Sequence, residues 1–90
     1  MILHTVEIRP VVGYRLFVAF DYGEAGEVDL TEALTGEMFE PLRDARLFAT
    51  ARQHPLFKTV IWDNGADLAP EYLLDLLHAQ HGNAQTAHAD

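Results

Sequence analysis

The sequence predicts an α+β domain. It reads as a small, mainly antiparallel sheet built from two hairpins plus an N-terminal strand, with short helices and a C-terminal helix packed on one face. Three observations carry this reading. Period-two apolar runs occupy the first third of the chain and recur before residue 63. Glycine-bearing turns separate them. The last apolar stretch, Tyr72 to Leu77, has helical spacing instead.

The elements follow in order. Residues 2–9 alternate loosely, include β-branched side chains and end at Pro10, so they predict a strand. After Gly13, the run Tyr14 to Phe20 is the strongest strand signal. Leu16, Val18 and Phe20 share one face with Tyr14, while Phe17 and Ala19 lie on the other. Asp21 to Gly26 makes a turn, and Glu27 to Leu30 returns as a third strand with Val28 and Leu30 inward. Thr31 is the expected N-cap of a short helical turn ended by Gly36. Phe39 to Leu42 reads as a second turn, interrupted by Pro41. Asp44 is the expected N-cap of a helix over 45–52. Phe57 to Trp62 reads as a strand, Asn64-Gly65 as a hairpin turn, and Ala66 to Ala69 as the return strand. Pro70 suits the first turn of a helix over 71–80. Residues 1–80 therefore read as a single α+β domain, and residues 81–90 as a disordered polar tail.

The chain has no cysteine, which removes disulfides, thiol catalysis and thiolate metal ligands. A small secreted domain would ordinarily need such staples, so a cytoplasmic location is expected. The N-terminus lacks the basic and apolar regions of a signal peptide. No apolar run reaches the ~20 residues of a membrane span, so no membrane partner is expected.

The formal charge is −8, and it is unevenly placed. Residues 21–40 hold seven of the 14 acids and no Lys or Arg; after Lys58 there is no base at all. Lysine and arginine supply most non-specific affinity for phosphates. Direct nucleic-acid binding is therefore not expected. A basic protein partner fits the charge, since complementary fields speed association. The plainer explanation of the acidity is solubility.

Candidate chemistry is sparse. Glu27 and Asp29 share a strand face, at a spacing compatible with the roughly 5–10 Å of paired catalytic carboxylates. That face reads as solvated, and outward acids of an edge hairpin are the simpler explanation. Asp63 to Asp67 loosely resembles a calcium loop, but its glycine comes third rather than sixth. His78 and His81 share a helix face, which suits weak metal binding or simply a solvated helix end. There is no serine, no nucleophile beside a His and an acid, and no glycine-rich phosphate loop. No catalytic residue, metal ligand or cofactor is predicted. Trp62 is either a partner anchor or a core cap.

The order of motifs resembles a known family. Asp21-Tyr22-Gly23-Glu24-Ala25-Gly26-Glu27-Val28-Asp29-Leu30 is followed by Phe39 to Asp44, by Leu47-Phe48, and by Val60 to Leu73 with its Trp62-Asp63-Asn64-Gly65-Ala66-Asp67-Leu68-Ala69-Pro70-Glu71 core. Together, over about residues 2–78, these resemble the bacterial family called domain of unknown function 2442. The resemblance implies a small uncharacterised α+β domain, of a kind found alone, in toxin–antitoxin-like gene pairs, or fused to helix-turn-helix domains. No helix-turn-helix segment is legible in this chain, and no catalytic residue is carried over.

The leading expectation is a non-enzymatic acidic protein-interaction module, antitoxin-like or a regulatory partner of a basic protein. Its candidate contact residues are Glu24, Glu27, Asp29, Glu32, Glu37 and Trp62. The alternatives are a small metal- or carboxylate-dependent hydrolase using acids such as Asp63 and Asp67, and a self-assembling structural domain pairing through an edge strand such as residues 2–9.

Overall fold

The computed structural model of the chain describes residues 3–82. Three strands form an antiparallel meander in the order β1-β2-β3: β1 (Thr5–Val11), β2 (Arg15–Phe20) and β3 (Ala25–Asp29). Leu16 pairs with Pro10 on one side and with Val28 on the other. This register puts Leu16, Val18, Phe20 and Val28 on the buried face, as the period-two pattern requires. The first strand runs later than expected and contains Pro10. An edge strand tolerates proline because one side of it carries no ladder.

The second pairing is smaller. Strand β4 (Arg52–Gln53) runs antiparallel to β5 (Val60–Ile61), in a separate two-stranded sheet. The two sheets meet at Thr5. Its backbone N–H and its hydroxyl both donate to the Lys58 carbonyl, at 2.9 and 2.8 Å, and the Gln53 amide donates to its carbonyl. Thr5 is fully buried, so these bonds satisfy a polar group that would otherwise be costly.

The helical pieces differ from the expected ones in instructive ways. The 3-10 turn Thr31–Ala33 is capped by Leu30, not Thr31. The Asp29 carboxylate takes both the N–H and the hydroxyl of Thr31, at 2.8 and 2.6 Å, so Thr31 is a donor and not a cap. Pro41 does not interrupt the turn Glu40–Arg43; it lies in its first turn, where no N–H is needed. Asp44 does cap helix α1 (Ala45–Phe48), accepting from Arg46 N–H at 2.9 Å. That helix ends four residues before Arg52, because Arg52 and Gln53 leave it for β4.

The predicted strand 57–62 shortens to Val60–Ile61. His54 Nδ1 accepts from the N–H groups of Leu56 and Phe57, at 3.0 and 3.1 Å, and Lys58 adopts φ 55°. The segment before Val60 is thus a turn. Asn64-Gly65 does reverse the chain. Gly65 has φ 88°, and Asn64 Oδ1 accepts from Ala66 N–H at 3.1 Å. The return strand reduces to a single bridge between Ile61 and Asp67.

Helix α2 (Pro70–Leu77) starts at Pro70 with Glu71 in its first turn. It buries Leu73 and Leu77 and leaves Tyr72 and Asp75 outside. Leu77 packs over β3 at Gly26. A Cβ placed there would lie 2.8 Å from Leu77 Cδ1. Residues His78–Gly82 then form a π-helical turn. This turn takes in residues 81 and 82, assigned to the tail by the sequence reading; residues 83–90 lie outside the described residues.

Candidate functional site

Five of the six candidate contact residues are exposed or half-buried, and four of them belong to one stretch. Glu24, Glu27 and Asp29 run along the hairpin and strand β3, and Glu32 follows in the 3-10 turn. Alternation on β3 sends Val28 into the core and Glu27 and Asp29 outward. Where the end of β3 meets α2, an open groove of about 690 Å³ forms. Asp29 and Glu32, from the end of β3 and the turn after it, line it together with Tyr72, Leu76 and Gln80 from α2 and the turn after it. The groove therefore offers carboxylates beside an aromatic and an aliphatic wall.

Two of these carboxylates are held in the charged form. The pair of bonds from Thr31, side chain first and then backbone, lowers the Asp29 carboxyl below its ordinary value; the charge of Arg15 adds to this. Glu24 is lowered by the Tyr22 hydroxyl first and by His78 second. His78 Nε2 lies 2.8 Å from Glu24 Oε2. Tyr22 itself is pushed up to about 12, by partial desolvation and then by its bond to Glu24. Glu27 sits 3.5 Å from Arg15 across the sheet.

The other two candidates stand elsewhere. Glu37 is exposed between the 3-10 turns and does not line the groove. Trp62 drops out of the candidate contact residues and takes the other of its two readings, the core cap. It is 1 % exposed, its indole N–H donates to the Phe48 carbonyl at 3.1 Å, and its ring packs against Phe48 and Phe39. Burial takes it away from any partner surface and makes it a core residue.

Sequence reasoning missed Tyr72 and Gln80, and it treated His78 and His81 as a solvated helix end. Each of these four becomes relevant only through chain-distant contacts with residues 24–32, which no local pattern encodes. Asp63 and Asp67, named for hydrolysis, each have a structural place. Asp63 is exposed and paired with Arg52 at 2.6 Å, and Asp67 lies on the bridge to Ile61. Among the described residues, no group of three His, Asp or Glu side chains could hold a metal ion. No described helix is long and apolar enough to cross a membrane.

The family model described as "Protein of unknown function (DUF2442)" matches residues 5–79. The chain belongs to this family. The match runs from the first strand to the turn after α2, so it includes the acidic hairpin and all of the groove lining but Gln80. No curated protein matches the chain. Among solved structures, it is similar to the crystal structure of "Putative DNA Binding Protein" from Nitrosomonas europaea, with a TM-score of 0.78 and 22% identity. The likeness covers 89% of this chain and 52% of that one, so the DUF2442 chain spans about half the length of its structural neighbour. Such a likeness establishes the shared fold. It also overturns the exclusion of nucleic acid drawn from charge. A protein of this fold carries the description "Putative DNA Binding Protein", so acidity alone does not strike DNA from the partners to consider.

Proposed function

We propose that this DUF2442 chain is a protein-interaction module whose contact surface is the acidic hairpin together with the groove beside α2. One observation supports the reading above the others: Asp29 and Glu32 line the same open groove as Tyr72 and Leu76. A lysine or arginine side chain has the matching chemistry, an apolar stem with a cationic head. The partner is accordingly a basic protein, in an antitoxin-like or regulatory pairing. The test is co-purification with the product of the adjacent gene at low salt. The variant Glu27→Lys/Glu32→Lys should lose the complex, and a partner held equally by both forms would sink the reading.

A second reading is association with DNA, favoured by the fold shared with the Nitrosomonas protein. Arg9, Arg15 and Arg52 pair with carboxylates, and Arg43 donates to the Leu34 and Thr31 carbonyls. Phosphate contacts would then centre on Arg46 and Lys58. Fluorescence anisotropy with duplex DNA at low salt separates the readings. Binding that is lost in Arg46→Ala/Lys58→Ala and kept in the charge-reversed hairpin would favour DNA.

A further inference from the structure

The three-stranded sheet has two outer edges, and they are not alike. The edge of β1 is engaged at Thr5 by Lys58 and Gln53 and is interrupted by Pro10. The edge of β3 contains no proline, and its outward peptide groups belong to Glu27 and Asp29. These groups are occupied by side chains. The Gln80 amide makes two bonds to the backbone of Asp29: its Oε1 accepts from the N–H at 2.7 Å, and its Nε2 donates to the carbonyl at 2.9 Å. His81 Nε2 lies 2.5 Å from the Glu27 carbonyl. A primary amide carries the same donor and acceptor as a peptide group. Gln80 thus stands where the peptide of a neighbouring strand would stand.

We propose that the β3 edge is a strand-addition site for an extended basic segment of a partner protein, and that the His78–Gly82 turn is its displaceable placeholder. The inference rests on the interaction-module reading and specifies its mode. Strand addition draws affinity from backbone hydrogen bonds and specificity from alternate side chains. On this edge the alternate side chains of the added strand would meet the outward carboxylates of Glu27 and Asp29, which selects Lys or Arg at every second position. Displacement is inexpensive in structural terms. Leu73 and Leu77 anchor α2 in the core, whereas His78 to His81 are all exposed and hold the edge through side-chain contacts alone. The change from α to π geometry falls where anchoring ends.

The test compares two synthetic peptides of alternating Lys and Val, one plain and one methylated at every backbone nitrogen. Both carry the same charge, but the second has neither edge free to pair with β3. Binding to the whole chain is read by anisotropy, and protection at Glu27 and Asp29 by amide exchange. The expected result is binding of the plain peptide, loss with the methylated one, and protection at both amides. In Gln80→Ala/His81→Ala, affinity for the plain peptide should rise about tenfold, as it would if the closed turn leaves the edge free about a tenth of the time. If the double variant does not fold, Gln80→Ala alone carries the same expectation in direction. Equal binding of the two peptides would overturn strand addition and leave the acidic-surface reading standing. No binding of either at low salt would defeat both. A variant that dimerises without peptide would overturn the assigned occupant in favour of a second copy.

Discussion

Replacing Gly26 with alanine tests how helix α2 is seated. Alanine normally strengthens a strand, by about 0.5–1 kcal/mol relative to glycine, because less backbone entropy is lost on folding. Here the added methyl would sit 2.8 Å from Leu77 Cδ1, well inside van der Waals contact. Leu77 is 3 % exposed, so its side chain has little room to turn away. Overpacking of this kind costs about 1–3 kcal/mol. The steric effect outweighs the propensity, and a net loss of about 1 kcal/mol is expected, with Tm lower by about 4–8 °C in a domain of this size. Urea melts of Gly26→Ala, Leu77→Ala and the double variant, followed by circular dichroism, make a double-mutant cycle. Leu77→Ala alone should cost about 2–5 kcal/mol. The double variant should cost less than the two losses added, by about 0.5–1.5 kcal/mol, because the new methyl fills part of the vacated space. A stabilising Gly26→Ala, or strict additivity, would refute the seating of Leu77 on Gly26.

Other expectations follow from the same packing and electrostatics. Trp62→Phe takes the indole N–H from the Phe48 carbonyl, which keeps its bond from Ala51 N–H, and vacates part of a tightly packed core; it should cost about 1–3 kcal/mol in urea denaturation, without altering partner binding. The lowered carboxyls of Glu24 and Asp29 contribute stability that is present above the ordinary carboxylate range and is lost as pH falls through their folded values. Glu24→Gln/Asp29→Asn should therefore flatten the acid limb of a Tm-against-pH curve, and an unchanged limb would count against these contacts. Tyr22 has the opposite sign: its raised value means stability falls as pH climbs from 10 towards about 12. Ultraviolet titration should show one tyrosine ionising late, and Tyr22→Phe should remove that step.

The meander was legible because its signals are local. Leu16, Val18 and Phe20 recur at period two beside turn glycines, and the register simply carries that face into the core. Asp44 and Pro70 declared their helix starts for the same reason. The second sheet was less legible. His54 bonding to Leu56 and Phe57 N–H turns a segment whose apolar content reads as strand. Asn64 donates to the Met38 carbonyl, so its loop is shaped by a distant segment as well as by the turn residues. Thr31 misled because the better acceptor, Asp29, stands two residues before it. The acids of the candidate surface were visible as a composition, but the rest of the groove lining was not. Tyr72, Leu76 and Gln80 join Asp29 and Glu32 through long-range packing, with Leu77 seated at Gly26 and Gln80 bonded to the Asp29 backbone.

Whether the acidic hairpin and the groove beside α2 form a protein-binding surface is tested by a chemical-shift titration of the labelled chain with a lysine-rich peptide, at low and at high salt. Perturbations should gather between Glu24 and Glu32 and between Tyr72 and Gln80, weaken with salt and be absent in Glu27→Lys/Glu32→Lys. Perturbations elsewhere on the chain, or undiminished binding by the charge-reversed variant, would contradict it.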